Sequence, residues 1–403
     1  MSVRKTISLS LIVFLALFLP GTGLSAPKFK IEPKVSTSWR SDTNYYKKER
    51  DEREVHTYLV QPGIYFGYET SKSLIDLDYT LDAYYYDDKD PYPPGQETED
   101  DVGHTLSLKT RTKPFDRLTL GLDESYYATR NPSQSDVLSN KQVRYEYDIN
   151  RLTPRIIYEF GPKFTAGLRY RWTELDYESN LQEDATEHRG MFDLIYNLRR
   201  RLAIDLRYQR WDMDYHKATS DYTSDQIELL LLQRFHHFSL RAGGGYQKRR
   251  FDDSNMKDID TVTFRIELKA QNPPAPAKSR SHLLLSFEQD FNIWYDAFDY
   301  YVARRITLEA GRVFMGKLPF KIVAAYQNSD YERFKGLTPS GELEEREDDS
   351  YSIEASLGYF LTDWLTLTGV AGYEDRDSNL AGFDYENKYF IIKLDVEYDL
   401  GSK

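Results

Sequence analysis

Apolar and polar side chains alternate strictly in roughly eighteen segments of this chain. Residues 74–84 are an example: their odd-numbered positions are apolar or aromatic from Ile75 to Ala83, and their even-numbered positions are polar from Asp76 to Asp82. Because successive side chains of a β-strand point to opposite faces, each segment predicts a strand with one apolar and one polar face.

The number of strands and the way they are joined predict an all-β fold, a transmembrane antiparallel up-and-down β-barrel of about 18 strands of the bacterial outer-membrane type. In such a barrel lipid contacts the apolar face and water fills the inside. The predicted strands are 29–41, 55–69, 74–86, 104–112, 117–130, 143–160, 163–177, 188–198, 201–215, 222–235, 238–251, 258–271, 281–295, 300–314, 318–331, 349–360, 364–376 and 386–400.

Short and long connectors take turns between these strands, as periplasmic turns and extracellular loops do in such barrels. The tight connectors are 70–73, 113–116, 161–162, 199–200, 236–237, 315–317 and 361–363, and the longer ones include 42–54, 87–103, 131–142, 178–187, 332–348 and 377–385. Two connectors depart from the rule. The Pro-rich stretch 272–277 falls on the short side, and 296–299 is short on the long side.

The first 26 residues predict a signal peptide that is removed after Ala26, or one residue earlier after Ser25. Arg4 and Lys5 precede an apolar stretch over residues 7–20. The predicted domains are therefore the signal peptide, 1–26, and the outer-membrane β-barrel, 27–403, and the predicted location is the bacterial outer membrane. The chain has no cysteine, which excludes disulfides and thiol chemistry.

Tyrosine dominates the aromatic residues, with 33 tyrosines against 21 phenylalanines and 5 tryptophans. Aromatic residues collect at both ends of the predicted strands, as expected of two girdles at the membrane–water interfaces. The last strand ends its apolar face in Tyr398 and Leu400. These two residues resemble the C-terminal signal that the barrel assembly machinery reads.

The net charge of −12 argues against a nucleic-acid partner. The polar set of each strand is expected to line the lumen, and both signs of charge occur in it in rough balance. Mixed charge suits hydrated solutes without strong selection for one ion sign. The simpler interpretation is that most of these residues pair across strands and stiffen the wall, at about 0.2–1 kcal/mol a pair. The candidate pore-lining residues are Lys109, Arg111, Arg169, Arg171, Asp205, Arg207, Arg241, Arg265, Glu267, Arg305, Glu309, Lys393 and Asp395.

No motif predicts an enzyme, and no catalytic, cofactor-binding or metal-binding residue is assigned. The seven histidines are scattered, and the adjacent pair His236–His237 is poorly placed to chelate. His188 or His282 would need a partner serine to form a lipid hydrolase or acyltransferase, and nothing marks one. Gly243–Gly245 lies within a predicted strand and indicates a kink or tight packing.

Two short stretches resemble the family described as putative beta-barrel porin 2. Residues 29–44, which run from Phe29 to an Asp-x-Asn turn at Asp42, resemble that family's opening strand, and residues 60–64, Val-Gln-Pro-Gly-Ile, resemble its second strand. The resemblance implies an outer-membrane exit for surface or extracellular polysaccharide, with periplasmic polysaccharide-export proteins as partners beside membrane lipid and lipopolysaccharide.

Three other functions stay open at this point. A general diffusion porin for small hydrophilic solutes would have the same strand pattern, and so would a structural or adhesion barrel with a filled lumen. A rim-active lipid enzyme is the third.

Overall fold

A computed structural model describes residues 28–88, 100–129, 146–178, 183–217, 220–272, 281–291 and 300–400. The predicted signal peptide, 1–26, lies outside these ranges. Parts of the predicted connectors 87–103, 131–142 and 178–187, most of the Pro-rich stretch and residues 296–299 also lie outside them. Within the described ranges, no helix is both long and apolar enough to cross a membrane.

The described residues form one closed sheet of eighteen strands, in which every strand pairs antiparallel with its neighbours in the sequence and β1 also pairs with β18. The predicted fold class is therefore confirmed. The strands are β1 (Lys28–Asp42), β2 (Val55–Glu69), β3 (Ser73–Asp88), β4 (Asp101–Phe115), β5 (Leu118–Thr129), β6 (Tyr147–Glu159), β7 (Phe164–Tyr177), β8 (Ala185–Arg199), β9 (Leu202–Tyr215), β10 (Tyr222–Arg234), β11 (Phe238–Phe251), β12 (Ile259–Asn272), β13 (Ser281–Phe291), β14 (Tyr301–Phe314), β15 (Leu318–Leu337), β16 (Leu343–Phe360), β17 (Leu365–Ser378) and β18 (Tyr385–Glu397).

Tight turns join the strands at one end of the barrel, which we call the turn end, and the longer connectors lie at the other, the long-loop end. The turn between β14 and β15 shows why so few residues suffice. Met315 and Gly316 both adopt positive φ angles, of 53° and 70°. The amide of Lys317 then donates to the carbonyl of Phe314 at 3.0 Å, which closes the turn.

The predicted loop 332–348 is wrong, because β15 and β16 continue through it as a hairpin. Their pairing shifts register between Asp330 and Lys335 and then resumes, with Lys335 opposite Glu345. Only residues 338–342 connect the two strands. The high charge of this segment suggested a loop, but its charges follow the strand alternation: Glu345 and Glu347 are exposed on one face, whereas Arg346 and Asp348 are buried and paired on the other.

The two faces of the sheet differ as the alternation predicts. The outward face exposes large apolar side chains along the strands, which is the surface that hydrocarbon requires. Examples from the middle of the strands are Ile64, Ile156, Leu168, Leu229, Ile266, Ile353 and Ile392. The inward face carries the charged and hydroxyl residues in between.

One hydrogen-bond pattern recurs on the outward face near the long-loop end. A tyrosine on an odd-numbered strand bonds to an aspartate or histidine on the next strand, about one pleat closer to the long-loop end. Such pairs of an aromatic ring and a polar group suit a membrane–water interface. The pairs are Tyr79–His104 (2.9 Å), Tyr126–Asp148 (3.2 Å), Tyr170–His188 (2.5 Å), Tyr208–Asp225 (2.6 Å), Tyr246–Asp260 (2.6 Å) and Tyr326–Asp349 (2.7 Å).

Gly243 and Gly245 let the backbones of β10 and β11 approach each other closely. A Cβ atom at Gly243 would collide with the carbonyl oxygen of Leu229, and one at Gly245 with that of Ile227. The tight packing expected of this triglycine is therefore present in the wall of the barrel.

Candidate functional site in the barrel lumen

The structure places all thirteen candidate pore-lining residues on the inward face. The register shows this directly: on β4, Lys109 lies opposite Asp76 of β3 and Asp123 of β5, whereas its neighbour Leu108 lies opposite Leu77 on the outward face. Whether these residues line an open pore stays a prediction.

The inward face of β4–β9 is a cationic wall. Below its long-loop end, the cations of this wall are Lys109, Arg111, Arg151, Arg155, Arg169 and Arg207, and its acids are Asp123, Asp193 and Asp205. Nearer the long-loop end, Arg171 and Arg189 share the acid Glu187. The strands bring some of these cations side by side, because Arg155 and Arg169 are direct cross-strand partners.

A chain of ion pairs fixes part of the cationic wall. Asp193 lies between two guanidinium groups, at 2.7 Å from Arg169 and 3.1 Å from Arg207. Arg207 also contacts Asp205 at 3.0 Å, and a separate pair joins Arg155 to Asp123 at 3.0 Å. Alternating charges across neighbouring strands stiffen a sheet.

Three cations of the same wall make no ion pair among the described residues. They are Lys109, Arg111 and Arg151. Lys109 and Arg111 are exposed to the lumen, and Arg151 is partly buried. The cationic wall therefore keeps positive charge that its own acids do not neutralise.

The inward face of β16–β18 and β1–β3 forms an acidic wall. Several of its carboxylates are held by neutral donors: Tyr65 donates to Asp76 at 2.6 Å, and Tyr389 donates to Glu354 at 2.9 Å. Lys34, by contrast, pairs with Asp78 at 2.5 Å. The acids of this wall include Glu32, Asp42, Asp76, Asp78, Asp82, Glu354, Glu374, Asp395 and Glu397, and its cations include Lys28, Lys30, Lys34, Arg40 and Lys393.

Asp82 shows most clearly how the acidic wall keeps its charge. The amide of Gln61 donates to one carboxylate oxygen at 2.7 Å and the hydroxyl of Thr105 to the other at 3.1 Å. Neutral donors stabilise a carboxylate without cancelling its charge. The inward residues, whose positive and negative charges are in rough balance overall, thus form one wall with an excess of positive charge and one with an excess of negative charge.

Between these walls, the inward face of β10–β14 is close to neutral. Its pairs are Lys269–Glu267 (3.1 Å), Arg265–Glu288 (3.4 Å) and His282–Glu309 (2.9 Å), and Arg305 donates to the Gln327 side chain at 2.9 Å. Arg241 makes no ion pair among the described residues. On the acidic wall, the predicted pair Lys393 and Asp395 lie 2.9 Å apart.

Towards the long-loop end the lumen changes character, because its side chains pack against one another and exclude water. We call this region the mouth layer. It consists of three apolar clusters with arginines embedded between them. The first contains Tyr147, Ile149, Leu175, Ala185, Trp211, Met213, Tyr215, Tyr222, Phe251, Ile259, Phe291, Tyr300 and Val302, the second Tyr45, Val55, Tyr84 and Tyr86, and the third Tyr301, Ala303 and Tyr331.

Arg249 is the centre of the first cluster and only 1% exposed. Its guanidinium carbon lies 4.1 Å from the ring centre of Tyr222 and 5.2 Å from that of Tyr300. These two rings, themselves 5.9 Å apart, come from β10 and from the start of β14, which are not hydrogen-bonded neighbours. The cluster therefore reaches across the sheet and narrows the lumen on this side.

Two buried acids complete the mouth layer by binding three further arginines. Glu187 is fully buried and accepts from both Arg171 at 2.7 Å and Arg189 at 2.8 Å. Arg346 donates to Asp348 through two nitrogens, at 2.9 and 2.6 Å. Buried charges of this kind persist only when they are paired and hydrogen-bonded.

Sequence reasoning missed the mouth layer, although a signal for it exists. Leu175, Met213 and Ile259 are apolar residues at positions of the inward, otherwise polar set. Apolar side chains that break the alternation near the long-loop ends of strands indicate an inner cluster rather than a hydrated wall.

The histidines and the C-terminal residues that the sequence singled out lie on different surfaces of the barrel. His188 bonds to Tyr170 on the outward face, whereas His282 bonds to Glu309 in the lumen, so the two serve different surfaces. Within the described ranges no group of three His, Asp or Glu side chains is arranged to hold a metal ion. Tyr398 and Leu400 continue the pairing with β1, since their amides donate to the carbonyls of Pro33 and Ile31 at 3.2 and 3.1 Å; their role as an assembly signal stays a prediction.

Comparison with known families supports the resemblance seen in the sequence. The family described as putative beta-barrel porin 2 matches residues 241–398. The match covers β12–β18 and nearly all of β11, and the two stretches in which the resemblance was first seen lie outside it. No curated protein matches the chain by sequence.

Three of the solved structures to which this chain is similar come from Acinetobacter baumannii and Pseudomonas aeruginosa. OccAB4 of Acinetobacter baumannii is 10% identical with a TM-score of 0.48, over 92% of this chain and 98% of its own. OpdK of Pseudomonas aeruginosa, crystallised with vanillate, is 12% identical with a TM-score of 0.49, over 92% and 99%. OccK2 (OpdF) of the same organism is 12% identical with a TM-score of 0.48, over 94% and 100%.

Proposed function

We propose that this porin-like outer-membrane barrel is a passive conduit for the export of surface or extracellular polysaccharide. The observation that carries the proposal is the continuous polar inward face of a closed eighteen-stranded barrel. Barrels of about 16–18 strands are wide enough to leave an aqueous channel. A wall of carboxylates, amides, hydroxyls and guanidinium groups offers donors and acceptors to a hydrated chain of sugar hydroxyls at every height below the mouth layer.

The remaining parts of the proposal come from the sequence and from its resemblance to the porin family. The protein itself is exported from the cytoplasm by a signal peptide that is removed after Ala26. The assembly machinery reads the end of the chain at Tyr398 and Leu400, and the outward apolar face meets lipid and lipopolysaccharide. Periplasmic polysaccharide-export proteins deliver the polymer at the turn end. No enzymatic step is part of this function.

One observation favours a second candidate, a structural or adhesion barrel with a filled lumen. The mouth layer buries aromatic and arginine side chains across part of the lumen. If that layer closes the mouth permanently, the barrel transports nothing. The conduit needs the layer either to leave a passage or to part during export.

Planar-bilayer recording with the purified full chain separates these candidates. The conduit predicts stable ion conductance that added oligosaccharides interrupt, whereas a silent insertion overturns the conduit and favours the filled barrel. A deletion strain then tests the cargo. Loss of surface polysaccharide supports export, and unchanged polysaccharide together with a conducting pore favours general diffusion of small solutes.

A further inference from the structure

The two walls of the lumen differ in how their charges are compensated, and this difference carries information about the solute. The cationic wall holds Lys109, Arg111 and Arg151 without an ion pair among the residues that the structure describes. The acidic wall holds Asp76 and Asp82 through neutral donors. Arg111 and Arg151 have no acid as a cross-strand partner, whereas Lys109 lies opposite Asp76 and Asp123 without an ion pair to either.

The free cations are spread over neighbouring strands at successive heights of one side of the lumen. Arg111 lies near the turn end of β4, Lys109 one pleat above it, and Arg151 on β6 nearer the mouth layer. Across β5, the wall between them carries Gly121, which is the cross-strand partner of both Arg111 and Arg155. Because Gly121 has no side chain, the side chain of Arg155 packs directly over it and lies beside Arg111, so two guanidinium groups share this part of the wall.

Paired arginines extend this surface along the wall. Arg155, Arg169 and Arg207 are each bound to an acid on one side, and Arg169 remains about one-third exposed in its side chain. A guanidinium group has five donors in a planar fork, so one that binds an aspartate retains donors for a second carboxylate. The wall thus has sites for several anionic groups in succession.

A row of cations in a confined, partly desolvated channel raises the local concentration of anions and attracts them to one side. The acidic wall repels the same anions and so keeps a negatively charged chain against the arginines. Its tyrosine and amide groups, Tyr65, Tyr389 and Gln61, remain able to contact sugar hydroxyls.

We infer that the solute is a carboxylate-bearing polysaccharide, whose carboxylates pass along the cationic wall of β4–β9 while its neutral face passes the acidic wall. This inference rests on the proposed function, because it names the class of polymer that the same conduit carries. Neutral polymers would gain nothing from the separation of charge.

The test uses the full chain in planar bilayers and two probes of equal length, a galacturonate oligomer with a carboxylate on every sugar and a neutral maltodextrin. The wild-type pore is expected to prefer anions over cations in a salt gradient and to be interrupted by the galacturonate oligomer at lower concentration than by maltodextrin. The variant Lys109→Gln/Arg111→Gln/Arg151→Gln should lose roughly three- to tenfold in its affinity for the galacturonate oligomer, with little change for maltodextrin.

The matched control removes as many cations from the outward face, as Arg210→Gln/Lys248→Gln/Arg250→Gln, and should keep the wild-type preference. If the triple lumen variant does not fold, as judged by heat-modifiable migration in gels, Arg111→Gln alone gives a smaller shift in the same direction. A conducting pore that treats the two probes alike, or whose preference survives the lumen substitutions, overturns the inference and leaves the conduit intact. A silent wild-type insertion overturns the proposed function and the inference with it.

Discussion

The inward face below the mouth layer includes the cationic wall, the acidic wall and the near-neutral face of β10–β14, which together we call the charged belt. The charged belt and the mouth layer occupy the same inward face of the same strands, yet they use arginine in opposite ways. In the belt, Arg111 and Arg241 face the lumen and make no ion pair among the described residues. In the mouth layer, Arg249 and Arg346 are buried at 1% and 2% exposure between aromatic rings. An inward position therefore does not decide whether a side chain is hydrated. Hydration depends on which inward side chains lie beside it.

Aromatic neighbours make the difference. A guanidinium group that stacks on several rings loses its water but gains the attraction of the ring faces, and Arg346 also donates to the buried Asp348. In the belt the inward neighbours are small or charged, so water remains the main partner. Substitutions in the two regions should therefore have separable consequences, on stability in the mouth layer and on ion selectivity in the belt.

Glu187→Ala should cause the largest loss in the free energy of unfolding, because it leaves Arg171 and Arg189 in the mouth layer without their shared carboxylate. Breaking a buried ion pair from one side costs about 3–5 kcal/mol. The measurement is urea unfolding in lipid vesicles. Glu309→Ala in the belt is the matched control, since its pair with His282 is partly exposed, and it should cost at most about 1 kcal/mol. Equal losses in the two variants would remove the distinction between the regions.

Gly243→Ala should cause the second-largest loss of stability, because its methyl group would meet the carbonyl oxygen of Leu229 and push β10 and β11 apart. We expect a loss of about 3 kcal/mol in the free energy of unfolding, since backbone has to move. Gly167→Ala is the control: its methyl group would lie 3.7 Å from the nearest side-chain atom, Asp193 Oδ2, which is ordinary contact. A Gly243→Ala barrel as stable as the control would show that the close approach of the strands is not required.

Arg249→Ala should destabilise the barrel by about 2 kcal/mol, since the desolvated contacts with Tyr222, Phe291 and Tyr300 are lost. It should also raise single-channel conductance by loosening the mouth layer. Arg241→Ala, on the same strand, should leave stability unchanged and lower the preference for anions. Conductance that rises equally in both variants would contradict the assignment of the constriction to the mouth layer.

Tyr208→Phe should cause the smallest loss in the free energy of unfolding, because it removes a single interfacial hydrogen bond, to Asp225 at 2.6 Å on the outward face. The expected loss is about 0.5–1.5 kcal/mol, with no change in conductance or selectivity. Tyr158→Phe, nearer the turn end of the outward face, is the control and should be silent. Altered selectivity in Tyr208→Phe would mean that the outward face is coupled to the lumen.

The strands and their two faces were predictable because the period of two is set by local geometry and repeats in each strand. The inward position of Arg169, Asp205 or Lys393 follows from that period alone. The pairing of Asp193 with both Arg169 and Arg207 does not, because it depends on the register of three strands. A shift of a single residue would replace these partners.

The features that escaped prediction depend on groups that are distant in the sequence. The mouth layer brings Tyr222 against Tyr300, and no local pattern marks that contact. The separation of charge appears only when strands are placed around the barrel, since the inward set taken as a whole shows both signs in rough balance. The hairpin of β15 and β16 was taken for a loop because charge alone does not distinguish a loop from a strand that exposes some of its charges and buries others as an ion pair.

Site-directed labelling on β4 tests most directly which face of the sheet contacts water and which contacts lipid. Because the chain has no cysteine, a single introduced cysteine is the only thiol that can react. Ser107→Cys faces inward and Leu106→Cys faces outward at nearly the same height. In barrels reconstituted into vesicles, a charged, water-soluble maleimide should modify the cysteine at 107 rapidly and spare the one at 106. Equal reaction at both positions, or faster reaction at 106, would contradict a lumen that is wet and an outer surface that lies in lipid.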